Sequence, residues 1–137
     1  MPILVDTNIL VAANFSRDKN HVVAAQVMKD IRNEVRIVAA PTLVELFYLI
    51  ADRVNYSRAL QTIRATRLAF EIWPLANDDM INMEAIMERY QDAHFDYTDV
   101  AIMALSERLN ITKVYTLDRR DFTIFRPKHC PHLDLLP

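Results

Sequence analysis

The chain contains no glycine at all. Loops that cradle phosphates with bare backbone need residues without a Cβ, so the P-loop and the dinucleotide fingerprint are both excluded. Cysteine is nearly absent too. Cys130 is the single thiol, no internal disulfide can form, and the composition fits a reducing cytosol. Nor is there an excess of positive charge. Sixteen Lys and Arg against eighteen Asp and Glu leave a net charge of −2, with no bulk basic field to attract nucleic acid. Long apolar runs are missing as well: the longest extend for about eight residues, well short of the roughly 20 that span a bilayer. Asp6 interrupts the first of these runs and no Lys or Arg precedes it, so no secretory leader is expected and the expected location is the cytoplasm.

What remains is ordinary globular material. At 137 residues, 52% hydrophobic and 25% charged, the chain is expected to form a single domain over 1–137 with one continuous core. Pro2 to Val5 reads as a short buried strand that stops at Asp6, and Ile9 to Ala13 as a helix. Asn14 to Asn20 is polar and loop-like. A helix is predicted over 21–33, a strand over 34–40, and a strongly apolar helix over 42–54 behind Pro41, a residue favoured in the first turn. A further helix follows to about Phe70, with Arg58, Arg64 and Arg67 on its polar side, and then a strand over 70–75. Asn77-Asp78-Asp79 marks the start of a helix running to about Ala93. Next come a helix over 98–109, a strand over 112–117, a loop-like tail and a last strand near 133–136. Strands alternating with helices imply an α/β fold, a parallel sheet with helices on both faces.

The acids at the ends of these elements carry the chemistry. In such a sheet the carboxyl ends of the strands build the site, which is where Asp6 falls. Asp6 serves equally well as an N-cap for the following helix. Glu45 sits inside the apolar helix with Pro41, Thr42, Tyr48 and Leu49 at helical spacing, so no Lys or Arg is placed to pair with it. An unpaired acid on such a helix calls for a cation or water-filled cleft in front of it, the other reading being a Glu solvated on a wet edge. Asp96-Tyr97-Thr98-Asp99 fits a helix start, with Asp96 or Thr98 as the cap and Asp99 in the first turn. Asp118 ends its strand much as Asp6 does, and Asp is also a common turn former. Asp121 reads as a turn or ion-pair residue. Carboxylates brought together repel and raise one another's pKa unless a cation neutralises them. Oxygen ligands without clustered His or Cys suit Mg²⁺ or Mn²⁺ rather than Zn²⁺. His129-Cys130-Pro131-His132 has soft ligand types but lacks a second pair, and reads as a surface loop.

Four segments in this order resemble the PIN domain, and within it the VapC-type toxins of toxin–antitoxin pairs. They are Val5-Asp6-Thr7-Asn8, Pro41-Thr42-Leu43-Val44-Glu45-Leu46, Tyr97-Thr98-Asp99-Val100-Ala101-Ile102 and Thr116-Leu117-Asp118-Arg119-Arg120-Asp121-Phe122. The resemblance implies a parallel sheet between helices and a metal-dependent endoribonuclease. It makes Asp6, Glu45, Asp99 and Asp118 the catalytic, metal-holding acids, with Asp96 and Asp121 as further candidate ligands. One or two Mg²⁺, with Mn²⁺ as a substitute, would activate water to hydrolyse RNA and leave 5′-phosphate and 3′-hydroxyl ends. It further implies a homodimer and a small antitoxin covering the cleft. Thr7, Asn8 and Thr116 are candidates for positioning the acids or water. Arg119, Arg120, Arg126 and Lys128 are candidate RNA phosphate contacts, with Arg17 and Lys19 behind them and Phe15 or Phe122 as stacking surfaces, although core packing suits Phe122 better.

Three other readings remain open at this level. A phosphatase using Asp6 as nucleophile wants a second acid two residues on, where Asn8 stands, and a lysine near the later acids, which is missing. A PIN-like domain that binds metal or a partner without turnover would keep the same acids. A PIN nuclease of RNA maturation or DNA processing would usually bring an added RNA-binding module, for which this chain is small.

Overall fold

A computed structural model describes residues 1–137. Five strands form one sheet: β1 (Pro2–Val5), β2 (Val35–Ala39), β3 (Glu71–Trp73), β4 (Lys113–Tyr115) and β5 (Asp134–Leu136). Their order is β3-β2-β1-β4-β5, and every adjacent pair is parallel. The helices are α1 (Thr7–Asn14), α2 (His21–Asp30), α3 (Ala40–Arg53), α4 (Tyr56–Ala69), α5 (Asn77–Arg89), α6 (Tyr97–Arg108) and α7 (Arg120–Ile124). None is long and apolar enough to cross a membrane.

The period-2 alternation of the strands sorts these helices into two layers. Ile3, Val5 and Val38 point to one face, where they pack with Ile9 and Leu10 of α1, Val27 of α2, Leu46 and Ile50 of α3, and Ala59 of α4. Leu4, Ile37, Ala39 and Val114 point to the other, against Met83 and Ile86 of α5 and the buried run Val100 to Leu105 of α6. Because α6 is apolar nearly all round, it lies deep in its layer, with eight of its residues buried. The expected parallel sheet between helices is therefore the fold. The core is divided by the sheet into two clusters rather than continuous.

Three further expectations are corrected. The stretch after Asp118 is not all loop: α7 forms there because Phe122 and Phe125 are fully buried and pull one helical turn onto the α6 layer. Residues 129–132 are not simply a surface loop either. Cys130 packs against that same core, and His129 Nε2 lies 2.7 Å from the Ile111 carbonyl, to which it donates. Helix α5 also stops at Arg89, short of Ala93, and a single 3-10 turn at Gln91–Ala93 precedes His94 in the left-handed region (φ 53°). In a chain without glycine, His94 and Asn110 (φ 55°) have to supply the left-handed positions.

Candidate active site

The strand order fixes where a cleft can form. From β1 the chain builds β2 and β3 on one side and later β4 and β5 on the other, so connections leave β1 and β4 in opposite directions. Such a switch point opens a crevice beyond the carboxyl ends of the two strands. Asp6 immediately follows β1 and Asp118 lies just beyond β4. A cleft of about 250 Å³ opens there, lined by Asp6, Glu45, Asp96, Asp99, Asp118 and Asp121, with Thr7 and Asn8 in its wall. All four acids of the expected quartet thus face one space, together with both further candidates.

Each acid is held by its own local structure. Asp6 is buried; its Oδ1 accepts from the Thr7 amide at 2.7 Å, capping α1, and its Oδ2 accepts from the Thr116 hydroxyl at 2.8 Å. Thr116 Oγ1 in turn accepts from the Asp118 amide (3.2 Å), and Asn8 Oδ1 accepts from the Leu117 amide (3.0 Å). Asn8 Nδ2 reaches Thr116 Oγ1 at 3.3 Å. Thr116 and Asn8 therefore tie the end of β1 to the loop after β4, which carries Asp118. Thr7 Oγ1 is buried without any hydrogen-bond partner.

Glu45 is half-buried on α3 and makes no ion pair, as its helical neighbours imply. Asp96 caps α6, accepting from the Thr98 amide at 2.9 Å, and Asp99 occupies the first turn. Asp121 is buried and answers to the ion-pair reading. Its Oδ1 takes Arg120 Nη1 at 2.6 Å while its Oδ2 accepts from the Asp96 amide at 3.2 Å. Asp118 is exposed and closes a turn, accepting from the Arg120 amide at 3.2 Å.

Charge in the cleft is one-sided. Seven carboxylates line it against a single arginine, Arg53, whose Nη1 is 3.6 Å from Asp18. Burial pushes the Asp6 carboxyl up to about 6 despite the Thr116 and Thr7 hydrogen bonds, and Glu45 and Asp96 add to the rise. Asp99 goes further, to about 9, through burial first, then the Asp6 charge, then an Asp121 carboxylate close enough to share its proton. Hard oxygen donors that resist ionisation by mutual repulsion are the chemistry a divalent cation relieves. No three of them converge tightly enough to enclose an ion by themselves.

Two charged residues of the cleft escaped the sequence reading, Asp18 and Arg53. The signal for Arg53 was present: Glu45, Leu49 and Arg53 recur every four residues along α3, and all three line the cleft. Asp18 lies in an irregular loop, where no periodicity could place it. The four basic residues after Asp118 are not in the cleft lining. Arg120 Nη2 donates to the Ala93 carbonyl, Arg126 Nη1 to that of Thr123, and Arg119 to that of Pro137, while Lys128 belongs to a separate polar cavity beside Glu107.

Comparison with known proteins bears on the whole chain. The PIN domain family model matches residues 3–126. A curated relative, Ribonuclease VapC26 of Mycobacterium tuberculosis, is 31% identical over 127 residues, covering 90% of this chain and 92% of that one. Among solved structures, M. tuberculosis VapC20, described as a Sarcin-Ricin loop cleaving toxin, superposes with a TM-score of 0.81 at 19% identity, covering 93% of this chain and 98% of its own. VapBC2 from Rickettsia felis, bound to a promoter DNA fragment, gives 0.73 at 15% identity with full coverage of both chains. The family match runs through all four acidic segments and both layers of the sheet, and the chain belongs to the PIN domain family.

Proposed function

We propose that this protein is a Mg²⁺- or Mn²⁺-dependent endoribonuclease, the toxin of a toxin–antitoxin pair acting in the cytoplasm. One observation carries the reading: Asp6, Glu45, Asp99 and Asp118 arrive from four separate elements in one cleft that holds almost no positive charge. The names of its relatives, a ribonuclease and a toxin that cleaves the Sarcin-Ricin loop, support the same activity.

Asp6, Glu45, Asp99 and Asp118 would hold the cation, with Asp96 and Asp121 at the margin. A divalent ion there supplies the charge that lets water attack a phosphodiester and the leaving oxygen depart. Two hydrogen bonds fix the Asp6 carboxylate, so it does not need to be ordered when RNA arrives. Thr116 and Asn8 keep the Asp118 loop against the end of β1. Thr7 lines the same cleft, and its buried hydroxyl has no partner within the chain. No side-chain nucleophile is needed.

The partners of the reading are a small antitoxin over the cleft and a second copy of the chain. An apolar groove between α3, the end of β3 and the start of α6 supports the dimer. It is lined by Pro41, Val44, Tyr48, Pro74, Leu75 and Tyr97, with Val44 74%, Tyr48 67% and Tyr97 54% exposed in the single chain.

Cleavage of a labelled cellular RNA pool by the purified protein tests the activity. Reactions run with Mg²⁺, with Mn²⁺ and with EDTA, beside the Asp99→Asn variant. Metal-dependent cleavage that vanishes in the variant is expected. Equal cleavage by the variant would overturn the site, and absence of cleavage under every condition would favour a binding domain without turnover.

A further inference from the structure

Beside the acidic cleft lies a second, oppositely charged groove of about 360 Å³, lined by Phe15, Arg17, Arg53 and Arg58 among others. Arg53 lines both spaces, so the groove and the acidic cleft are neighbours. We propose that this groove carries the single-stranded RNA flank of the scissile site, with phosphates on Arg17 and Arg58 and a base against the ring of Phe15. The inference rests on the ribonuclease reading and deepens it.

Three features support the assignment. Arg17 and Arg58 have no carboxylate within ion-pair distance, in contrast to Arg53, which is held by Asp18. An unpaired guanidinium presents a planar fork that matches a phosphate. Phe15 is half-buried, packs with neither core cluster, and lines this groove. Finally, the groove is built rather than loose. The Asp18 amide donates to the Phe15 carbonyl at 2.9 Å, Asp18 Oδ1 accepts from the Asn20 amide at 2.8 Å, and Arg58 Nη2 donates to the Asn14 carbonyl at 3.3 Å, which ties the start of α4 to the end of α1.

Electrostatics requires something of this kind. A polyanion approaching seven carboxylates is repelled, and the bound cations offset that only at the centre. Cationic contacts on a rim beside the cleft hold the flanking phosphates, and stacking on an aromatic ring accepts any base. The arginines after Asp118 line neither this groove nor the cleft, whereas Arg17 and Arg58 line a space that shares Arg53 with the cleft.

The test measures binding of a fluorescent oligouridylate to Asp99→Asn protein across a salt series, together with cleavage kinetics on the otherwise wild-type chain. Each lost phosphate contact on a single strand lowers the slope of log K against log salt by about 0.7. Arg17→Gln with Arg58→Gln is expected to lower it by about 1.4, and to raise KM with kcat retained. Phe15→Ala is expected to weaken binding by about tenfold without altering the slope. Arg64→Gln with Arg67→Gln, on the outer side of α4, should leave both unchanged, and Arg58→Lys should restore part of the slope if Arg58 contacts phosphate rather than only bracing Asn14. An unaltered slope and KM in a protein that still cleaves RNA would overturn the groove and leave the nuclease standing. So would a slope lost instead in Arg126→Gln with Lys128→Gln. Failure of the wild type to bind or cleave any RNA would remove both.

Discussion

Replacing Asp99 by Asn is expected to make the metal-free protein more stable while abolishing its activity. In the folded chain the Asp99 carboxyl is pushed from 3.8 to about 9, so at neutral pH it is held protonated although the unfolded chain would ionise it freely. That preference of the unfolded state, bounded by the distance from 3.8 to neutrality and discounted for partial exposure, is on the order of 2 to 4 kcal/mol. Asn has no ionised form, so the unfolded chain loses its advantage. The carboxyl is already neutral in the folded chain, so no charge interaction with the α6 N-terminus is lost, and the cap itself stays with Asp96. For a chain of this size the net gain corresponds to roughly 5 to 10 °C in Tm, read by calorimetry in EDTA. Both raised carboxyls, Asp6 at about 6 and Asp99 at about 9, have native values above the unfolded one, so their ionisation favours unfolding. Metal-free wild type should therefore gain stability as pH falls from about 9 towards 5, with Asp6 contributing only below about 6, and the variant should lose the upper part of that climb. Mg²⁺ should stabilise the wild type and largely spare the variant. A lower Tm for Asp99→Asn both in EDTA and in Mg²⁺ would refute the reasoning and leave Asp99 as a helix-start residue.

Thr116→Val removes the hydroxyl that holds both Asp6 and the Asp118 loop. It should lower stability by about 1 to 2 kcal/mol in urea titration and weaken Mg²⁺-supported cleavage by roughly 10- to 100-fold. Phe122→Ala opens a cavity under α7, where the ring is 1% exposed. A loss of about 3 to 5 kcal/mol is expected, and a loss under 1 kcal/mol would mean that α7 is not anchored there. Tyr48→Glu with Val44→Glu places charge in the apolar groove, and sedimentation should move from dimer to monomer with the Tm of the isolated chain little changed. A sedimentation coefficient independent of this pair would locate the second copy elsewhere.

The fold was legible because its signals are local. The switch from period 2 to period 3.6 at Asp6, Pro41 and Thr112 separates strands from helices, and the alternation predicts a parallel sheet between two layers. What escaped was short or irregular. A five-residue helix such as α7 has too few turns for a periodic signal, and only tertiary burial of Phe122 and Phe125 makes it form. The site was legible in its acids, since each closes an element whose type could be read. The basic surface was not. In sequence, Arg119 and Arg120 follow Asp118 directly and suggest a shared site, whereas the structure directs them towards the Pro137 and Ala93 carbonyls. Arg53, linked to the quartet only through the α3 repeat, is the one that borders the cleft, and Arg58 lines the groove beside it.

The bland and the functional readings of these acids turn out to be one geometry. Asp6 caps α1 and Asp96 caps α6, yet both face the cleft. A strand end followed at once by a helix leaves free amides at the helix start, and an acid there satisfies them. In a doubly wound sheet those helix starts are gathered at the carboxyl edge, so the caps of α1 and α6 are delivered to the same crevice, whereas Asp79 at the start of α5 lines a separate polar cavity. Each carboxylate oxygen has two lone-pair sites, and a capping bond occupies one of them. The cap also orients what is left over towards the cleft. A substitution that keeps the cap but removes the charge, Asp6→Asn, should therefore separate the two roles: folding is retained, and sensitivity of the folded state to Mg²⁺ is lost.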